Sequence, residues 1–242
     1  MSNQDAKAVL VDTKGTDASE KPAPDRSRKR SPDATCFVVE FQLEYSPKQR
    51  KTATARFNCG TILYNACLRE ALNRANIMRS DPRWLEAQKM PKTVNGVPNK
   101  ERKELFQGAK KDARFDAYSM SSFGTKRRVG FLRDNVLSQE AQTLATRAFN
   151  AVADWVYSGK GKPRYKPVAR GIQSIQTKGL TGSMQLQTKT TLDSKENVQT
   201  TYSLAWGKNL VAKLKVDLNN PVHQHGLAAA QDGMLCARVG NC

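Results

Sequence analysis

Long apolar runs are missing from this chain. No stretch of 18 apolar residues occurs in its 242 positions, so nothing in it is built to span a bilayer. The opening MSNQDAKAVLVDTKG lacks the charged-then-apolar pattern of a secretory signal. Cysteine is sparse and oddly counted. Cys36, Cys59, Cys67, Cys236 and Cys242 include no C-x-x-C pair, which argues against a disulfide framework and against a structural zinc site. A reducing cytoplasm is the compartment this usage implies. Acid is scarce as well: 22 Asp plus Glu stand against 40 Lys plus Arg, a net charge of +18. Such an excess points to a polyanionic partner, because clustered cations release counterions from phosphates. A merely basic, non-specific RNA-binding protein is the plain alternative.

Residues 1–33 are rich in Ser, Asp, Lys and Pro and nearly devoid of large apolar side chains. They read as a disordered tail. A first strand follows over 34–45, where Phe37, Val39, Phe41 and Leu43 share one face at period two. Ser46-Pro47-Lys48-Gln49 then opens a helix with a capping box and a proline in its first turn. Phe57, Thr61, Tyr64, Leu68, Leu72 and Ala75 recur at three- and four-residue steps, carrying that helix to about Met78. Its polar positions hold Lys51, Arg56, Arg69 and Arg74.

Residues 79–100 contain Pro, Gly and Asn and read as a loop; 101–120 read as a charged helix. Lys126, Arg127 and Arg128 stand together in a glycine-flanked turn. A second strong helix starts at Ser138 and buries Ala141, Leu144, Ala145, Ala148, Val152, Trp155 and Val156 before Ser158-Gly159. Beyond it the period switches to two, at Met184 and Leu186, at Tyr202 to Trp206, at Leu210 to Leu218, and again near Met234 to Val239. This order (strand, helices over 46–158, strands over 159–242) predicts an α+β protein. If the first strand pairs with later ones, the helices are an insertion into a small antiparallel barrel.

Catalytic patterns are absent from the sequence: no H-E-x-x-H, no G-x-x-x-x-G-K-[ST], and no Ser/His/Asp set. The two histidines, His223 and His225, form an H-x-H pair in an expected turn after NNP. A histidine-pair nuclease or transposase is the enzyme alternative, although the middle residue is polar and no tyrosine lies downstream. Asp193, Glu196, Asp217 and Asp232 lack the paired, strand-borne setting of a two-metal nuclease.

Nucleic-acid binding has more behind it. Residues 158–178 carry six cations and no acid. Tyr165 lies between Arg164 and Lys166, placed to stack on a base while its neighbours hold phosphates. Pro163 and Pro167 stiffen the segment, so less entropy is lost on binding.

Taken together, these residues resemble a family. SPKQ opens a helix carrying FNCGTILYNACLREAL; LSQEAQTLATRAFNAVADWVYSGKGKPRYKP and a strand-rich tail follow. The pattern is similar to the N-terminal half of the TnpB family, RNA-guided DNA nucleases of bacterial insertion sequences related to type V CRISPR effectors. The likeness rests on Pro47 onward, on Leu63-Tyr64-Asn65-Ala66-Cys67-Leu68, on Ala151-Val152 with Trp155, on Gly161-Lys162-Pro163-Arg164-Tyr165-Lys166, and on Gln142 in the family's "lQQaL" run; it covers about residues 35 to 240.

The resemblance implies an OB-like wedge barrel with an inserted helical recognition bundle. Its partners would be a guide RNA and a double-stranded DNA target, in the bacterial cytoplasm and on the nucleoid, with no membrane. Tyr64 and Asn65 would organise the first recognition helix, and Gln142 would lie on the helix that contacts the motif beside the target. Lys51, Arg56, Arg69, Lys126, Arg127, Arg128, Lys160, Lys162, Arg164, Tyr165, Lys166 and Arg170 complete the expected nucleic-acid-binding set. The family's RuvC-like nuclease domain would follow the barrel, and Cys242 stands where its first strand is expected. No catalytic carboxylate carries over, no cofactor is expected in these residues, and Mg2+ would belong to that domain. A truncated gene product, a piece of a longer protein, a split effector with a separate RuvC-like chain and a nuclease-free binder all fit.

Overall fold

Two long amphipathic helices and one four-stranded sheet organise the protein. The computed structural model describes residues 40–177, 183–192, 198–231 and 238–240, all within the unit Val39–Cys242. The expected tail, and Phe37 and Val39 of the expected first strand, lie outside them. In chain order the elements are β1 (Gln42–Glu44), α1 (Pro47–Ser80), α2 (Pro82–Lys89), β2 (Thr93–Val94), β3 (Val97–Pro98), α3 (Lys100–Asp112), α4 (Ala117–Arg127), α5 (Phe131–Asn135), α6 (Ser138–Ser158), β4 (Ser174–Gln176), β5 (Met184–Leu192), β6 (Val198–Trp206), β7 (Val211–Lys215), α7 (Pro221–Gln231) and β8 (Arg238–Gly240). The class is α+β. No helix among the described residues is long and apolar enough to cross a membrane.

The main sheet runs β1-β7-β6-β5, every pair antiparallel. β1 precedes the helices in sequence yet pairs with β7, Leu43 facing Leu214, so α1 to α6 are inserted into the sheet. A closed barrel was expected; among the described residues the sheet is open, with β1 and β5 at its edges. β4 pairs with β8 in a separate two-stranded ladder. The period-two residues behave as their spacing requires: Leu210, Ala212 and Leu214 are buried while Val211 and Lys213 are exposed.

α1 begins as its capping box dictates. Ser46 Oγ accepts from the Gln49 N–H at 3.3 Å and Gln49 Oε1 accepts from the Ser46 N–H at 2.7 Å. The Gln49 amide also donates to the Val211 carbonyl, tying the helix start to β7. Residues 79–100 are not a simple loop. Asp81 caps a new helix with its side chain on the Arg83 N–H, and Pro82 takes the first helical position, where its missing N–H costs nothing. Likewise the expected helix over 101–120 is two helices, α3 and α4, broken at Arg114 with its positive φ of 50°. α6 ends at Gly159, left-handed at φ 68°.

Helix contacts are set by small residues. A Cβ on Gly124 of α4 would lie 2.8 Å from the Ala141 carbonyl oxygen and 2.8 Å from the Ala145 Cβ, so α4 and α6 approach backbone to backbone. Leu63, Cys67, Leu68, Ala71 and Met78 of α1 join Leu144, Ala148 and Val152 of α6 in the core.

Where helices meet sheet, Phe57 and Leu144 cluster with Met184, Trp206 and Leu210, and polar groups are buried among them. Glu140, in the first turn of α6, is completely buried. Its Oε2 accepts from the Leu137 N–H at 2.8 Å, and its Oε1 from the Trp206 indole N–H at 2.6 Å. One carboxylate thus caps α6 and binds the end of β6. The Arg56 guanidinium of α1 sits 5.2 Å from the Trp206 ring centroid and is itself only 3% exposed. Phe57 meets the same ring edge-on at 5.7 Å. Gly207 completes the site, since its φ of 63° suits glycine and a Cβ there would lie 2.8 Å from Arg56 Nη2.

Burial pushes the Glu140 carboxyl above the usual glutamate range, opposed by its two donors and by the cations Arg56 and Arg128; burial likewise lowers Arg56, opposed by Glu140. Trp206→Phe deletes a buried hydrogen bond and leaves Glu140 Oε1 without that donor, which should lower the unfolding free energy by about 1–3 kcal/mol, read by urea titration. The raised carboxyl has a definite sign. The native state holds the proton more tightly than the unfolded chain, so Glu140's contribution falls as pH rises from the ordinary glutamate value through its native one. The stability of the wild type relative to Glu140→Gln should therefore fall over that window and then level off, measured by paired urea titrations.

Candidate nucleic-acid interface

After Gly159 the chain leaves α6 and crosses α1 as an extended connector, residues 160–171. Two hydrogen bonds from one side chain hold it. Asn65 Nδ2 donates to the Lys166 carbonyl at 2.8 Å, and the Lys166 N–H donates to Asn65 Oδ1 at 2.9 Å, copying the reciprocal pairing of an antiparallel ladder. One turn earlier on α1, Thr61 Oγ1 accepts from the Ile172 N–H at 3.0 Å. Between these pins the chain turns, with the Gly171 N–H on the Pro167 carbonyl at 2.7 Å. Ile172 and Ile175 are buried; a Cβ on Gly60 would lie 2.7 Å from Ile172 Cδ1, so the missing side chain lets Ile172 pack close against α1. α6 holds the next stretch through Thr143 Oγ1 to the Gln176 carbonyl at 2.7 Å and Arg147 to the Ser174 carbonyl at 3.2 Å.

With the backbone pinned, the connector's side chains face solvent. Tyr165 is 53% exposed, and Arg164, Lys166 and Arg170 have no carboxylate partner among the described residues. The first two lysines are held close to α6: Lys160 pairs with Asp154 at 2.8 Å, and Lys162 lies 5.7 Å from the Trp155 ring centroid, a ring that Arg79 also meets at 5.0 Å.

The exposed stripe of α1 continues this surface. Lys51, Thr54, Asn58, Ile62, Asn65 and Arg69 follow one another at three- and four-residue steps, and all but the half-buried Asn65 are exposed. From Lys51 to Arg69 the stripe is about 27 Å long at the helical rise. Its N-terminal part lines a groove of about 690 Å³ that includes Tyr45, Arg50, Lys51, Thr54 and Asn58. α1 has a single carboxylate, Glu70, and Arg74 neutralises it at 2.8 Å. Lys48, Arg50 and Lys51 also occupy its first turns, where the helix dipole disfavours cations. Local stability does not explain that choice.

Three expected contact residues are placed elsewhere. Arg56 falls on the inward face of α1 beside Phe57 and belongs to the Glu140–Trp206 contact. Tyr64 is buried, and that burial raises its phenol against the opposing pull of Arg147. Arg128 is half-buried and donates through Nη1 to the Arg133 and Val136 carbonyls at 3.1 and 3.2 Å, closing a turn. Lys126 and Arg127, in the last turn of α4, are exposed. Gln142 is half-buried on α6, one residue from the Ala141 carbonyl that Gly124 abuts.

Arg50 and the Thr61 pin were not anticipated. The available signal was two polar residues, Thr61 and Asn65, one turn apart beside an apolar stripe.

The histidine pair lies in α7, not in a turn. Residues two apart on a helix do not face each other, so His223 and His225 are badly placed to grip one metal ion. His223 Nδ1 accepts from the Asp217 N–H at 3.1 Å, and its ring sits 5.1 Å from Phe41. Among the described residues no group of three or more His, Cys, Asp or Glu could hold a metal. Asp193, Glu196 and Asp232 lie outside them.

No family model matches the chain, and neither does a curated protein or a solved structure.

Asn65→Ala removes both bonds to Lys166 and should cost about 1–3 kcal/mol, two ordinary hydrogen bonds. Limited trypsin digestion should then gain an early cut after Arg164, a site that the pinned connector of the wild type protects.

Proposed function

We propose that the protein binds nucleic acid along the α1 stripe and the 160–171 connector, as the guide-RNA- and target-motif-recognising half of a TnpB-like effector. The observation that carries this reading is the Asn65–Lys166 clasp. It lays a cation-rich segment with an exposed tyrosine beside a stripe that has no unpaired acid, and it fixes the backbone beforehand. Phosphates then meet Lys51, Arg69, Arg164, Lys166 and Arg170 with little ordering left to do, while Tyr165 offers a ring to a base.

Two further features support the family reading. The motif residues Asn65 and Lys166 meet in space across 101 positions of sequence. The insertion of helices between β1 and the later strands is also the arrangement that an OB-like wedge interrupted by a recognition bundle requires. In this proposal guide–target base pairing reads sequence and the protein reads shape and the flanking motif. Cleavage and its Mg2+ belong to a RuvC-like domain, in the same polypeptide or in a partner chain.

The competing reading is non-specific adhesion of a basic protein to RNA. Fluorescence anisotropy with a labelled single-stranded RNA separates contact from bulk charge. Arg164→Ala should reduce the salt slope by roughly 0.7–1 unit. Tyr165→Ala should cost about 1–3 kcal/mol with the slope unchanged. Equal, small effects from both would leave only bulk charge. The guide reading is tested by sequencing the RNA that co-purifies when the gene is expressed with its flanking locus. One enriched RNA from that locus supports it, and a salt-removable mixture of ribosomal and transfer RNA overturns it.

A further inference from the structure

The corner between α4 and α5 departs from ordinary surface design. Residues 126–133 read KRRVGFLR. Val129 and Phe131 are each 60% exposed, and between them Gly130 adopts φ 54°, ψ −135°, a backbone that a Cβ-bearing residue rarely takes. Isolated exposed apolar residues mean little. Here, however, they are held outward. The Leu132 N–H binds the Val129 carbonyl at 3.2 Å and the Arg133 N–H binds the Gly130 carbonyl at 2.8 Å. The Arg128 guanidinium donates to the Arg133 and Val136 carbonyls, across the five-residue α5. Leu132 and Val136 anchor the same turn in the core. The lock is therefore internal, and the ring of Phe131 stands on a rigid mount.

Charge chooses the occupant. Lys126, Arg127 and Arg133 are exposed around this corner and have no carboxylate partner among the described residues. Within residues 126–134 three exposed cations stand against one exposed acid, Asp134. An exposed apolar ring in so basic a stretch suits an unpaired nucleobase, whose face stacks on the ring while its phosphates meet the cations. We infer that Phe131 is a stacking post for an unpaired base of single-stranded nucleic acid, separate from the connector, with Arg128 as its internal lock. This rests on the proposal that the protein binds nucleic acid, and it adds a contact which that proposal does not contain.

The test uses the whole chain, a fluorescein-labelled 20-nucleotide single-stranded RNA, and the matching 20-base-pair duplex as control. Phe131→Ala should weaken single-strand binding by about 5- to 150-fold, equally at low and high salt, and leave the duplex nearly unaffected. Phe131→Tyr keeps the ring and should retain wild-type affinity. Since Phe131 is exposed, far-ultraviolet circular dichroism of both variants should match the wild type.

If Phe131→Ala binds the single strand as tightly as wild type while Arg164→Ala binds it more weakly, the stacking post is wrong and the connector interface stands. If the wild type binds neither probe, both proposals fall. If Phe131→Ala keeps full affinity but dissociates a dimer in sedimentation, the corner is a contact between copies of the chain and the inference is overturned.

Discussion

A single buried carboxylate joins the two halves of this protein. Glu140 receives the first free N–H of α6 and the indole N–H that closes β6, and no water is needed to satisfy either. Ionised and buried, such a group is costly unless cations and donors surround it. Arg56 and Arg128 supply the charge without direct ion pairing, and the Trp206 ring lies against the Arg56 guanidinium. An apolar pair would fill the same space and ask for no particular geometry. The polar contact demands that α1, α6 and the β6–β7 turn all be in register. It therefore sets the relation between helices and sheet on which the connector's path depends.

The basic face follows from that relation. Once α1 and α6 are fixed, Thr61 and Asn65 offer two polar anchors one turn apart on α1, and Thr143 and Arg147 offer two more for the strand that follows. The connector spends its backbone hydrogen bonds on these anchors, which leaves its cations and Tyr165 for a partner. The single acid of α1, Glu70, is taken up by Arg74, and residues 158–178 contain none, which keeps the surface uncompensated. Repulsion among these cations works against stability, a cost that a polyanion would relieve.

Much of the frame was legible in the amino-acid order, and for physical reasons. Ser46 and Gln49 satisfy each other's backbone, so α1 starts where the capping box says. Gly159 ends α6 because it alone there accepts a left-handed backbone without strain. Period two in Met184, Leu186, Leu204, Trp206, Ala212 and Leu214 marks residues that do face inward from the sheet. What escaped was long-range or context-dependent. Arg56 has the look of a surface cation, and only the partner ring of Trp206, 150 positions away, explains its burial. Pro82 signals either a break or a helix start; Asp81 one residue earlier decides for the start. His223 and His225 follow a turn-like NNP, yet Asn220 caps a helix there, its side chain accepting the Val222 N–H. At the site, charge and the Tyr165 context were readable in advance. The Asn65–Lys166 clasp was not, because nothing local in the sequence requires residues so far apart to meet.

The claim with most depending on it is that one continuous face, the α1 stripe with the connector, receives the nucleic acid. Ultraviolet crosslinking of a bound single-stranded RNA, followed by mass spectrometry of the crosslinked peptides, addresses it directly. The account predicts adducts concentrated at Tyr165 and its neighbours, at Tyr45, and along the exposed side of α1 from Arg50 to Arg69. Crosslinks spread evenly over lysine-bearing peptides, or confined to the β5–β6 hairpin, would contradict it.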